Sequence, residues 1–447
     1  MNSWKLAGAV AILATVGHVN GATLEDHVGP EGLQVGLNTV WVLMAAFLVF
    51  FMQAGFGMVE AGFIRSKNAC NVLTKNFLDF CVASLSFFCI GYAIMFGLDA
   101  GGVIGCSGFF LSGVEPLTSG VPTFAFWLFQ AAFCGAAATI VAGALAERMK
   151  FEAYLIYSAL ISAIVYPIVG HWIWGGGWLS SLGFFDYAGS TVVHATGGIA
   201  SLVGTMVLGP RLGKYKPTGE ANALPGHNIP LASLGVFILW FGWFGFNPGS
   251  SLSGMQAGLN SLVAMNTSLS AAAGTVVAMV TVWTISGKPD LSMTMNGALA
   301  GLVAITAPCA VVSPAAAVVI GAVSGIVIVL GVLLLDKLHV DDPVGAVPVH
   351  GFNGIWGTLA VGLFARPELL GTGTGGLFAG GGLRLLGVQA LGSAACTLFV
   401  LLSMGAVFLI IDRTIGMRVG EDEELRGLDI GEHGMESYSG FQIFTTS

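Results

Sequence analysis

The chain has 447 residues, of which 55% are hydrophobic and only 9% charged, with a formal net charge of −8. Average soluble domains carry roughly 25% charged residues, so a water-soluble fold of this length is excluded. The net charge itself says little about nucleic acid, but no basic patch and no aromatic RNA-binding motif stands in the chain, so none is expected as a partner.

At the N-terminus, Lys5 precedes an apolar run from Leu6 to Val16 and small residues up to Ala22. That is the pattern of a cleaved secretory signal peptide over residues 1–22, although Asn20 stands where a small residue is preferred. Residues 23–412 read as the membrane domain. Apolar stretches long enough to cross roughly 30 Å of hydrocarbon recur along it. Eleven transmembrane helices are predicted, at 35–62, 76–98, 122–146, 153–173, 188–209, 229–250, 259–284, 293–311, 315–335, 344–364 and 385–411. The eighth is the weakest, interrupted by Thr294, Asn296 and Pro308. Runs such as Ala142-Gly143-Ala144 and Gly297–Gly301 are expected to be close helix contacts, because small residues let backbones approach in lipid. The seven cysteines form no CxxC pair and read mostly as small buried hydrophobes. Cys106 and Cys309 are the one pairing that the topology leaves open to a disulfide.

Charge tests the count. The connections after spans 1, 3, 5, 7 and 9 hold Arg65, Lys67, Lys75, Arg148, Lys150, Arg211, Lys214, Lys216, Lys288 and Lys337; the tail, residues 413–447, adds Arg413, Arg418 and Arg426. Thirteen of the 16 basic residues then share one side, leaving Arg366, Arg384 and Lys5 on the other. Basic loops stay in the cytoplasm, which puts the N-terminus out and the C-terminus in. The fold class is an all-α polytopic membrane protein in the cell (inner) membrane.

Two distant segments share a pattern. Asp186-Tyr-Ala-Gly-Ser-Thr-Val-Val-His194-Ala-Thr-Gly-Gly198-Ile199 aligns with Asp342-Pro-Val-Gly-Ala-Val-Pro-Val-His350-Gly-Phe-Asn-Gly354-Ile355. They open spans 5 and 10, which enter from opposite sides, as expected of an inverted five-helix repeat with its site near the midplane. Each Asp precedes its His by eight residues, or about 12 Å on a regular helix, close to half of a ~30 Å core. By symmetry His194 and His350 should meet. A single membrane histidine often only cross-links helices; two related by symmetry favour a functional reading. Asp186 and Asp342 read as helix caps, and Asp186 on the outer side would also recruit cations.

These residues resemble the signatures of the ammonium transporter family (Amt/Mep/Rh). So do Trp243-Phe-Gly-Phe246-Asn-Pro-Gly-Ser250, Asn296-Gly-Ala-Leu-Ala-Gly-Leu-Val303 and Val340-Asp-Asp-Pro-Val-Gly-Ala-Val-Pro-Val-His350-Gly. The resemblance runs from about residue 35 to 438. It implies a homotrimer with one pore per subunit, no cofactor and no enzymatic activity. It implies that Phe133 and Phe246 gate the outer mouth, that Trp174, Phe133 and Ser250 form an outer ammonium site, and that His194 and His350 line the pore. Pro248 would bend span 6 and so affect where Ser250 lies. Glu60, near the inner end of span 1, reads as a carboxylate satisfied at a helix interface with Arg65 or Lys67 in reach, rather than a gate.

The tail segment from Gly416 to Gly434 resembles the family's cytosolic segment that packs under the subunits and couples them. It is the expected contact for a PII-type signal protein. The apolar ending Phe441-Gln-Ile-Phe444 is compatible with a lead into a fused signalling domain. Two functions therefore compete: ammonium or ammonia transport, with methylammonium as an analogue, and an ammonium sensor with little or no flux. A membrane metalloenzyme is disfavoured, since no third His or carboxylate stands at ligand spacing to the pair and His171 belongs near the outer surface.

Overall fold

The computed structural model describes residues 30–114 and 120–438. The expected signal peptide and the apolar ending after Tyr438 lie outside them. Nine helical stretches are long and apolar enough to cross a membrane among the described residues. These are α1 (Glu31–Phe63), α2 (Ser66–Phe96), α3 (Thr123–Ala144), α4 (Phe151–Leu182), α5 (Ser190–Leu208), α6 (Ile229–Gly249), α7 (Ala257–Ser286), α9 (Pro314–Lys337) and α11 (Arg384–Thr414). Two shorter helices occupy the remaining predicted segments: α8 (Leu291–Thr306), and α10, which runs Val347–Phe352 and Asn353–Phe364. A two-stranded hairpin, Asp99–Ala100 with Ile104–Gly105, follows α2.

The outer surface of the bundle is apolar. Phe77, Phe237 and Leu402 are among its exposed side chains, as expected where the surroundings are lipid rather than water. Glycine sets the helix spacing inside. A Cβ on Gly301 would stand 2.4 Å from the Ser270 carbonyl oxygen, and one on Gly297 would stand 2.4 Å from the Ala278 Cβ. The predicted small-residue stripe is therefore the α7–α8 contact.

The largest difference from the predicted boundaries is at α2, which begins at Ser66 rather than 76. Lys75, Asn76 and Asp79 in its first turns are polar yet buried. Hydropathy rejects such residues; the bundle accepts them because each has a partner. Lys75 is consequently not a loop residue, and its Nζ donates to the Met149 carbonyl at 2.7 Å. The cysteines among the described residues are free, with Cys106 exposed and Cys309 buried, so the open disulfide is not formed.

One face of the bundle carries a buried ion-pair cluster. Glu147 accepts from Arg65 and, at 2.7 Å, from Arg211, whose guanidinium also forks onto Asp341 at 2.8 and 2.9 Å. Burial alone would raise the Asp341 carboxyl, but the Arg211 hydrogen bonds and the Arg148 and Arg211 charges hold it well below the usual carboxylate range. The tail docks on this face. Val419 donates to the Arg148 carbonyl at 3.1 Å. Glu424 takes the Arg418 guanidinium and the Leu212 N–H. Asp429 accepts the N–H groups of Cys70 and Asn71 at 3.0 and 2.8 Å, capping the start of α2 from the tail. Lys67 donates to the carbonyls of Glu424 and Leu425. Helix α11 continues two residues into the segment assigned to the tail, ending at Thr414.

Candidate functional site

The site is built from two matching starts. Asp186 Oδ1 accepts from Gly189 and Ser190, and its Oδ2 accepts from Thr191 and Val192, all at 2.8–3.0 Å. Asp342 Oδ1 accepts from Val344 and Gly345, and its Oδ2 accepts from Val347 at 2.7 Å. Three residues after each Asp stands a left-handed glycine, Gly189 (φ 114°) and Gly345 (φ 80°). That conformation is open to glycine at little cost, which explains why the two segments share it.

Each start feeds a π-helical turn, Ser190–Ala195 and Val347–Phe352. The expected rise of a regular α-helix therefore does not hold from Asp to His. A π turn is wider and shorter, and turns its side chains to different bearings. Both histidines sit in these turns.

The two halves interlock through glycine. Gly198, four residues after His194, lies so close to the other half that a Cβ would be 2.0 Å from the Gly351 nitrogen. Gly354, four residues after His350, meets Ser190 and Ala195 in the same way, at 2.5 and 2.8 Å. This reciprocal packing brings the histidines together. Their Nδ1 atoms are 3.2 Å apart, and the rings are tilted by 24° with centroids 5.2 Å apart. A hydrogen bond between two Nδ1 atoms requires one donor and one acceptor, so the two rings hold opposite tautomers. Both residues are buried, and among the described residues His194 Nε2 has no hydrogen-bond partner. Leaving such a group unpaired costs about 1–3 kcal/mol.

An aromatic column leads to the pair. Phe133 and Phe246 stack with centroids 4.0 Å apart, and Phe246 stacks on His194 at 5.3 Å. Trp174 meets Phe133 edge-on at 6.2 Å, and its indole donates to the Asp186 carbonyl at 2.7 Å. Ser250 closes α6, and its hydroxyl donates to the Phe246 carbonyl at 2.8 Å. Pro248 lies in the last turn of α6, which still runs to Gly249.

Trp243, Glu60 and His171 are buried as well. Trp243 lies flat on His194 at 5.0 Å, fully buried, with its indole N–H on Thr306 Oγ1. Sequence reasoning missed it, though it stands three residues before Phe246 on the same helical face. Glu60 is not met by Arg65 or Lys67, which turn to Glu147 and the tail; its donor is Asn76 at 3.0 Å. His171 is buried and bound to half-exposed Asp99 at 2.9 Å.

A model of the Ammonium Transporter Family matches residues 40–438. The chain belongs to the ammonium transporter family. It is 49% identical to the ammonium transporter Amt2 of Archaeoglobus fulgidus, over 96% of this chain and 93% of that one. It is 38% identical to ammonium transporter 3 of Dictyostelium discoideum, over 92% and 96%. Among solved structures it resembles a sensor Amt protein (TM-score 0.85, 40% identity, 90% of this chain and 100% of that chain). It also resembles Mep2 of Candida albicans (TM-score 0.80, 31% identity, 87% of each). This ammonium transporter family member is thus a multi-pass protein of the cell membrane, in a family of transporters rather than enzymes.

Proposed function

We propose that the protein moves ammonia through the centre of each subunit after capturing ammonium at the mouth, with the tail face in the cytoplasm. The observation that carries this is the buried column Phe133–Phe246–His194–His350, ending at a histidine pair with an unpartnered ring nitrogen.

The chemistry follows from charge. Ammonium is recruited at the outer face by the Trp174 and Phe133 rings, whose faces attract cations, with Ser250 as a further hydroxyl acceptor. The stacked Phe133 and Phe246 close the way to water. Beyond them a bare cation loses its hydration with few polar groups to replace it, a cost of several kcal/mol even after the protein relaxes. Ammonium escapes that cost by giving up a proton; potassium cannot. The ammonia left behind hydrogen-bonds to the free histidine nitrogens, and the opposed tautomers offer it one donor and one acceptor. The proton can follow along the same pair.

A second reading rests on the 40% identity to a sensor Amt protein and on a tail held tightly to the bundle: the same pore binds ammonium and signals through the tail. Flux of labelled methylammonium into proteoliposomes, measured beside ammonium binding to the purified protein, tests both. Flux supports the transporter; binding without flux supports the sensor. We further expect a homotrimer, and a PII-type protein would meet the tail face.

A further inference from the structure

Past the histidine pair, toward the tail face, lies a small cavity lined by His350, Phe56, Val349, Val344, Asn296 and Glu60 among others. The centre of a water molecule can move through ≈ 20 Å³ of it, which is room for about one water. Its polar groups are chiefly acceptors. The Glu60 carboxylate is 3% exposed and, among the described residues, takes a hydrogen bond only from Asn76. Asn296 is 6% exposed; its amide donates to the Val344 carbonyl, and its buried Oδ1 has no partner among the described residues. His350 spends Nδ1 on His194, which leaves Nε2 for the cavity.

The other charged groups nearby are already committed. Lys75 donates to the Met149 carbonyl, Asp79 takes the hydroxyls of Ser158 and Thr139, and Asp342 takes three backbone N–H groups. Glu60 is the carboxylate left to exchange. Gly143 keeps space for it, since a Cβ there would stand 3.1 Å from the Glu60 carboxyl carbon. A cavity with two buried acceptors and an imidazole beside it suits a small ligand that is rich in N–H bonds.

We propose that Glu60 and Asn296 form an inner ammonium site, at which Glu60 returns to ammonia the proton that ammonium gave up at the mouth. This rests on the pore reading above. The N–H bond that ammonium breaks at the mouth is replaced by an N–H bond on the histidine pair, and an N–H bond of that pair breaks in turn as an O–H bond forms on the Glu60 carboxylate. When ammonia arrives, that O–H bond breaks as an N–H bond forms. Ammonium then leaves to the tail face and the carboxylate is restored, so each cycle moves one ammonium and one positive charge. No further reactant is needed.

The test is Glu60→Gln in proteoliposomes, read by ammonium-driven current on a supported membrane alongside methylammonium flux and ammonium binding. A group that donates a proton in the limiting step contributes on the order of a hundredfold. The current of Glu60→Gln should therefore fall by about that factor, and Glu60→Asp should recover part of the current. Infrared difference spectra of the wild-type protein on ammonium addition, which need no variant to fold, should show a change in the carboxylic C=O band that moves in Glu60→Asp. Wild-type current in Glu60→Gln, wild-type flux carrying no charge, or no carboxylic band overturns the Glu60 assignment and leaves the pore reading standing. Binding with no flux in the wild type would overturn the pore reading itself.

Discussion

At the residue scale, the proposed path turns on two nitrogens that hold each other. Replacing His194 by Asp sets a permanent negative charge where the opposed tautomers now offer neutral groups. Potassium, which has no proton to give up, should then enter. The expected result is potassium-driven current in the variant and none in the parent. On that path, replacing His350 by Ala should slow flux roughly five- to 150-fold, from the loss of about 1–3 kcal/mol of hydrogen bonding to the passing solute. At the proposed capture site, Trp174→Leu would remove a cation–π contact worth about 0.5–2 kcal/mol. It should weaken the apparent affinity for methylammonium several-fold with less effect on the maximal rate, as saturation curves would show. Loss of maximal rate at unchanged affinity would place Trp174 outside the capture site.

At the scale of elements, the two π turns and their glycines decide whether the histidines meet. Gly198→Ala pushes a methyl into the backbone of the partner half, where a Cβ has 2.0 Å to the Gly351 nitrogen. Backbone cannot step aside as a flexible side chain would. Overpacking of this kind costs about 1–3 kcal/mol; the melting temperature in detergent should drop and flux should fall with it. A fully active, equally stable Gly198→Ala would refute the interlock. The repeat that predicts this meeting is readable as a row of identical residues, because Asp and left-handed Gly have a local cause and the close-packed Gly answers the same contact in each half. The π turns are not readable. Nothing in Ser190–Ala195 or Val347–Phe352 announces them, and the 12 Å expected of a regular helix assumed a local geometry that neither segment has.

At the scale of the whole molecule, the tail and the buried ion pairs join segments far apart in the chain. Asp429→Ala would remove the acceptor for two N–H groups at the start of α2, a cap worth about 1 kcal/mol, with 2 as the upper end. Amide hydrogen exchange over residues 420–438 should quicken, with the pore helices unchanged. The Asp341 cluster sets the acid limit. Its carboxyl is held below its unfolded value, so its contribution is complete above about pH 4 and is lost as pH falls through the folded value. The melting temperature should therefore decline on acidification below about pH 4, and Asp341→Asn should flatten that part of the profile.

The sequence by itself determined the membrane class, the approximate positions of the helical segments, the duplicated Asp–His segments and the family, because hydropathy, charge and local backbone demands are written residue by residue. Only the tertiary structure decided what polar residues inside the bundle do. Lys75 reads as a loop cation and proves to be buried in α2. Glu60 reads as the partner of Arg65 or Lys67 and instead faces the cavity beneath His350. Trp243 stands in a family motif with no role of its own and proves to be the ring against which His194 lies. The reason is common to all three. A buried polar or aromatic group takes its role from whatever lies across the helix interface, and that neighbour is distant in the chain.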